Sequence, residues 1–163
     1  MNKHLIIDSA KCTGCGLCEL ACAINKTGQC QTYLARIKIW QEETRGFFVP
    51  MTCQQCDNPP CASACLMNVI SKDPVTGLTI RRLEGCIACR ACQLACPFEG
   101  CSYDYLQEVL VNCDHCEGNP ECVKYCPTGA LRYISTAESM DLERSAEAGR
   151  RCGLAGLVKG DRR

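Results

Sequence analysis

The apolar residues of this chain come in short runs, and the spacing inside each run predicts a small element. Leu5, Ile6 and Ile7 sit within His4 to Asp8, which reads as a short strand. In Gln31 to Trp40, Ile37 and Ile39 alternate with Arg36 and Lys38, a period of two that predicts a strand. Phe47 to Met51 offers it a hairpin partner across the polar turn Gln41 to Gly46. Further on, Asp73, Pro74 and Gly77 supply turn chemistry ahead of a strand over Leu78 to Arg82, and Gly129 to Ser135 is expected to play the same part later. The recurring unit is a loop, a short helix and a hairpin, so the fold class is α+β. From residue 137 the pattern changes. Glu138 to Glu147 has helix-forming composition, and a Gly-rich end follows (Gly149, Gly153, Gly156, Gly160). Met140, Leu142, Leu154, Leu157 and Val158 are too few for a core of their own. The expected division is residues 1–136 as one domain and 137–163 as a tail, either frayed or docked on a partner or a second copy through Leu154 to Val158.

Between these elements lie the cysteines, nineteen in 163 residues, sixteen of them in four quartets. Cys12, Cys15, Cys18 and Cys22 follow C-x2-C-x2-C-x3-C, and Cys86, Cys89, Cys92 and Cys96 repeat it ahead of Pro97. Cys53, Cys56, Cys61 and Cys65 widen the second gap to four residues, and Cys113, Cys116, Cys122 and Cys126 widen it to five ahead of Pro127. The final gap of three is constant. A cubane needs four soft thiolates at separate corners, and a tight loop can wrap three of them while its N–H groups point at the sulfides. In two-cluster proteins of this kind the fourth cysteine ligates the other cluster. Four quartets therefore predict four [4Fe-4S] clusters in two pairs. A zinc site seldom adds a third and fourth cysteine at these spacings. A disulfide framework needs an oxidising compartment, whereas the three-residue apolar stretch before Cys12 resembles no secretory or twin-arginine leader; the expected location is cytoplasmic.

Composition adjusts this picture in two ways. The chain has one Trp, five Tyr and three Phe, and its hydrophobic fraction of 47% counts the cysteines. So little large apolar side chain implies that bound clusters serve as core and that the apoprotein is largely unfolded. Eighteen basic and eighteen acidic residues cancel, but four oxidised clusters would bring the whole to roughly −8. No basic run points to nucleic acid: the pairs Arg81 with Arg82, Arg150 with Arg151 and Arg162 with Arg163 are scattered. No segment approaches the length of a membrane span.

The segments CTGCGLCELAC, CQQCDNPPCASAC, CIACRACQLACP and CDHCEGNPECVKYCP, taken in order, resemble the four-cluster ferredoxin-type electron-transfer subunits of bis-pterin molybdenum and tungsten oxidoreductases, over about residues 1–136. That family includes the beta subunits of dimethyl-sulfoxide reductase and formate dehydrogenase. The short length looks most like the small polyferredoxin subunit of bacterial tungsten aldehyde oxidoreductases. The resemblance implies tandem bacterial-ferredoxin-like units forming two pseudo-symmetric two-cluster modules, quartet one paired with four and two with three. Carried over, one cluster takes Cys12, Cys15, Cys18 and Cys126, and its mate Cys113, Cys116, Cys122 and Cys22. The other module takes Cys53, Cys56 and Cys61 with Cys96, and Cys86, Cys89 and Cys92 with Cys65. Every corner is filled, although Leu66 after Cys65 and Ala23 after Cys22 stand where the prototype has proline.

Full thiolate ligation leaves no iron open to substrate, so one-electron transfer is expected rather than catalysis. The implied partners are a catalytic Mo/W-pterin subunit, tungsten aldehyde oxidoreductase foremost, and a flavin/NAD-reducing or ferredoxin acceptor. Head-to-tail self-association is expected if electrons enter at one end and leave at the other. A freestanding polyferredoxin, a hydrogenase or formate-hydrogenlyase subunit, and a regulator that signals by cluster loss are the alternatives. Lys11, Arg90 and Lys124 lie beside the loops and either raise potentials or are solvated charges; His115 is expected outside the ligand set. Cys30, Cys101 and Cys152 fall outside the quartets and read as incidental thiols, and Trp40 as a packing residue.

Overall fold

The first strand of the chain pairs with the last, and this closure decides which cysteines meet. The computed structural model describes residues 3–42 and 44–152. Strand β1 (Lys3–Ile7) runs antiparallel to β8 (Leu131–Ser135) with Leu5 opposite Tyr133. The amide of Asp8 then donates to the Ala130 carbonyl at 2.8 Å. Quartet one begins just beyond β1 and quartet four ends just before β8, so the pairing brings the two together. The remaining strands form three local hairpins: β2 (Ile37–Glu42) with β3 (Phe47–Thr52), β4 (Ile70–Lys72) with β5 (Thr79–Arg81), and β6 (Cys101–Asp104) with β7 (Val109–Asn112). Each is a two-stranded sheet, too small to stand without something packed on it.

The helices carry the cysteines inward. Helix α1 (Leu17–Thr27) starts and stops at the left-handed residues Gly16 and Gly28. Its Cys18 and Cys22, one turn apart, share a buried face with Ala23. Helices α2 (Pro60–Ser63), α3 (Ala91–Leu94) and α4 (Glu121–Lys124) are single turns that bury Cys61, Cys92 and Cys122 respectively. Pro60 opens α2 at the position where a missing N–H is tolerated. Two separate buried clusters result. One joins Cys18, Cys22 and Cys122 with Leu5, Leu34, Ile37 and Leu131. The other joins Cys61, Cys92 and Cys101 with Val69, Ile70 and Leu110.

Several local expectations are corrected. Gln31 to Trp40 is not one strand: Thr32–Leu34 turns as a short 3-10 segment that buries Leu34, and the strand begins at Ile37. Trp40 does not pack in the core but is 58% exposed, because the alternation that turns Ile37 inward puts Trp40 on the other side. The segment ending at Ser135 makes no local hairpin, since its partner is β1. The tail is helical over α5 (Thr136–Arg151), longer at both ends than expected, and packs on β1 and β8 of its own chain. A capping box starts it: the Ser135 hydroxyl accepts from the Glu138 amide at 3.4 Å, and the Glu138 carboxylate accepts from the Ser135 amide at 2.9 Å. The docking role expected of Leu154 to Val158 lies outside the described residues. No helix among the described residues is long and apolar enough to cross a membrane.

Candidate metal centre

The cysteine loops are wound through left-handed residues. Gly14 and Gly16 take positive φ in the first loop, Gln55 in the second, Ala88 and Arg90 in the third, and His115, Cys116 and Glu117 in the fourth. Left-handed residues in tight loops turn successive N–H groups to one side and make an anion-binding concavity. For residues other than glycine this conformation costs about 1–3 kcal/mol each, which marks these loops as shaped for something they hold. The third cysteine of every quartet is buried: Cys18 and Cys122 at 6% exposure, Cys92 at 7% and Cys61 at 8%. Cys15 and Cys89 are exposed, so the loop tips reach the surface.

Sulfurs from different quartets approach one another. Cys53 feels the charges of Cys56, Cys61 and also Cys96, a quartet-three cysteine. Cys122 feels Cys113 and then Cys22, from quartet one. N–H groups are aimed at several of these sulfurs: Arg36 N at Cys22 (3.2 Å), Gly100 N at Cys96 (3.2 Å), His115 N at Cys113 (3.4 Å) and the Asn25 amide at Cys116 (3.3 Å). Burial pushes the Cys18 and Cys113 thiols up to about 12, and raises Cys22, Cys53 and Cys122 as well. Metal binding takes such protons away, since a ligating cysteine must be a thiolate. Cys61 and Cys92 go the other way, lowered by a hydrogen bond from Cys101 and by the Arg81 guanidinium. Spaced soft donors with N–H groups directed at them fit an iron–sulfur cubane.

A model of the 4Fe-4S dicluster domain matches residues 44–136, more than half of the chain, and a 4Fe-4S binding domain matches residues 5–22. The chain belongs to the 4Fe-4S dicluster family. Curated proteins similar to the chain include the polyferredoxin-like subunit of aliphatic sulfonate oxidoreductase from Pyrococcus furiosus, 40% identical over 75% of this chain and 70% of that one. The electron transport protein HydN of Escherichia coli is 31% identical over 94% of this chain and 99% of its own length. The beta subunit of NADH-dependent phenylglyoxylate dehydrogenase from Aromatoleum evansii is 37% identical over 82% of this chain, which spans only 30% of that longer protein. As a family member the chain is an iron–sulfur electron-transfer protein, not a catalytic one.

The charged residues expected to act on the loops are otherwise engaged. Lys11 pairs with Asp8 at 3.2 Å, Lys124 with Glu121 at 2.6 Å, and the Arg90 guanidinium lies 4.7 Å from the Tyr103 ring centre. All three are exposed. His115 is buried against Tyr133, ring centres 5.4 Å apart, and burial lowers its basicity. Three residues the sequence reading passed over do reach the loops. Asp114 takes Lys26 of α1 at 2.8 Å and Arg36 at 2.9 Å, tying quartet four to the first helix. Gln55 bridges the second loop to the fourth. Arg81, read from sequence as half of a scattered pair, lies against two sulfurs. Of the spare cysteines, Cys30 and Cys152 are exposed, whereas Cys101 is 4% exposed.

Proposed function

We propose that the chain is the electron-transfer subunit of a multi-subunit oxidoreductase and holds four [4Fe-4S] clusters in two modules within residues 1–136. The ligand sets are Cys12, Cys15, Cys18 with Cys126; Cys113, Cys116, Cys122 with Cys22; Cys53, Cys56, Cys61 with Cys96; and Cys86, Cys89, Cys92 with Cys65. The observation that carries this reading is the division of the buried sulfurs. Cysteines of quartets one and four share one core, and those of quartets two and three share the other. When bound, such clusters accept and release one electron each. The chain's own residues hold the sulfurs as thiolates, keep water from the buried ones, and direct N–H groups at them.

The partner proposed is a catalytic Mo/W-pterin subunit, with a tungsten aldehyde oxidoreductase first and a cytoplasmic location. The relative named as a polyferredoxin-like subunit of an oxidoreductase supports assembly with a catalytic oxidoreductase subunit. The test is metal analysis of the protein isolated anaerobically from its host with a gentle affinity tag. About 16 irons per chain, as four cubanes require, together with stoichiometric tungsten or molybdenum, is the expected result. About eight irons would reduce the proposal to a single two-cluster module. Iron without a companion subunit would favour a freestanding polyferredoxin.

A further inference from the structure

The repeat positions of the chain isolate one anomaly. Five residues beyond the last cysteine of quartets two, three and four stand Ile70, Cys101 and Leu131. Each opens a strand, β4, β6 and β8, and each is buried, at 6%, 4% and 2%. Two of the three are the aliphatic plugs such a position asks for. The third is a thiol, which donates to the Cys92 carbonyl at 3.6 Å.

The cross-strand partners repeat the anomaly. Leu131 faces Ile7 across its sheet, an apolar pair, whereas Ile70 faces Arg81 and Cys101 faces Asn112. The Arg81 guanidinium spends all three of its nitrogens here: Nη1 donates to Cys92 Sγ at 3.1 Å, Nη2 to Cys101 Sγ at 3.3 Å, and Nε to Asn112 Oδ1 at 3.2 Å. Asn112 is itself buried and held by its amide donating to the carbonyls of Thr79 (2.9 Å) and Cys113 (3.1 Å). A planar fork with three fixed acceptors has little freedom to leave.

We infer that Arg81, aimed by Asn112 and anchored on Cys101, is a positioning residue that keeps a permanent cation against the ligand sulfur of Cys92 and raises the reduction potential there. Reduction adds negative charge, which a nearby guanidinium and its N–H···S bond stabilise more than the oxidised state. The matching strand pair of the first core, Leu131 with Ile7, holds no cation; the charge that acts there, Arg36 on Cys22, is tied to Asp114 at 2.9 Å instead of to a sulfur. Because arginine stays charged at all working pH values, titration of Arg81 itself does not switch its effect on Cys92. The inference rests on the ligand assignment proposed above, which the iron content of the wild-type protein tests on its own.

The experiment is a redox titration followed by electron paramagnetic resonance on anaerobic holoprotein, with iron counted in every sample. In Arg81→Leu one signal is expected to move to more negative potential while the others stay, at undiminished iron. Arg81→Lys, which keeps the charge and loses the fork, should show the same signal displaced less. Cys101→Val, which restores the aliphatic residue type of the sister positions, should keep its iron and displace the signal in the same direction. Full iron with unmoved potentials in Arg81→Leu would overturn the inference. If Arg81→Leu loses iron the decision passes to Arg81→Gln, which keeps N–H donors and loses the charge, and loss of iron there too, or an unmoved signal at full iron, would leave Arg81 a merely structural residue.

Discussion

The side-chain amide of Gln55 donates to the carbonyl oxygen of Cys113, so the loop of the second quartet is bonded to the loop of the fourth. The other end of the same side chain accepts from the Thr79 amide at 2.6 Å, and the backbone carbonyl of Gln55 accepts from Lys72 Nζ at 3.0 Å. Gln55 is 9% exposed and joins elements from both buried cores. Gln55→Leu fills the space but strands the Thr79 N–H, while the Cys113 carbonyl keeps its Asn112 donor at 3.1 Å. That buried orphan costs about 1–3 kcal/mol, so the holoprotein should melt a few degrees lower. Anaerobic thermal unfolding followed by cluster absorbance measures this, and an unchanged midpoint would remove Gln55 from the account of how the two cores are joined.

Gly100 meets a different constraint. A Cβ there would stand 2.6 Å from the Cα of Cys53, a backbone atom that cannot swing aside. The same residue donates its N–H to Cys96 Sγ at 3.2 Å, so any shift is felt at a proposed ligand. Gly100→Ala should cost about 1–3 kcal/mol, as overpacking does, and lower the iron per chain by about one cubane, or about four irons. Colorimetric iron analysis of wild type and variant purified side by side decides it. Equal iron would mean that the loops separate without harm.

The start of α5 should respond to acid. The hydroxyl and amide of Ser135, beginning with the backbone bond, hold the Glu138 carboxyl below its ordinary value of 4.5. A carboxyl depressed in the fold contributes stability that is present above its unfolded value and is lost as pH falls through the folded one. Hydrogen exchange of the α5 peptides should therefore be several-fold faster in Glu138→Ala than in wild type near neutrality. The two rates should converge as pH is taken below 4.5. Ser135→Ala, losing a cap worth about 1 kcal/mol, should speed exchange about fivefold. A Glu138→Ala difference that persists unchanged in acid would show that the carboxylate's charge plays no part.

The quartets were legible because ligation is written in local spacing: three cysteines wrapping one loop must be near neighbours in the chain. The hairpin at β2–β3, and the turn and second strand at β5, were legible for the same reason, being set by alternation and turn residues. Trp40 misled because residue type argued for burial while strand parity, which depends on which face meets α1, put it outside. The β6–β7 hairpin was missed because Cys101 and Asn112 are not residues that alternation flags as inward.

By itself the sequence determined the chemistry of the donors, the number of quartets, and the α+β unit of loop, short helix and hairpin, since each follows from contacts within a few residues. Only the tertiary structure decided that β8 closes on β1, that Gln55 reaches Cys113, and that Arg81 lies on Cys92 and Cys101. Those partners are 11 or more residues apart in the chain. Their meeting is fixed by strand pairing and burial rather than by any local pattern.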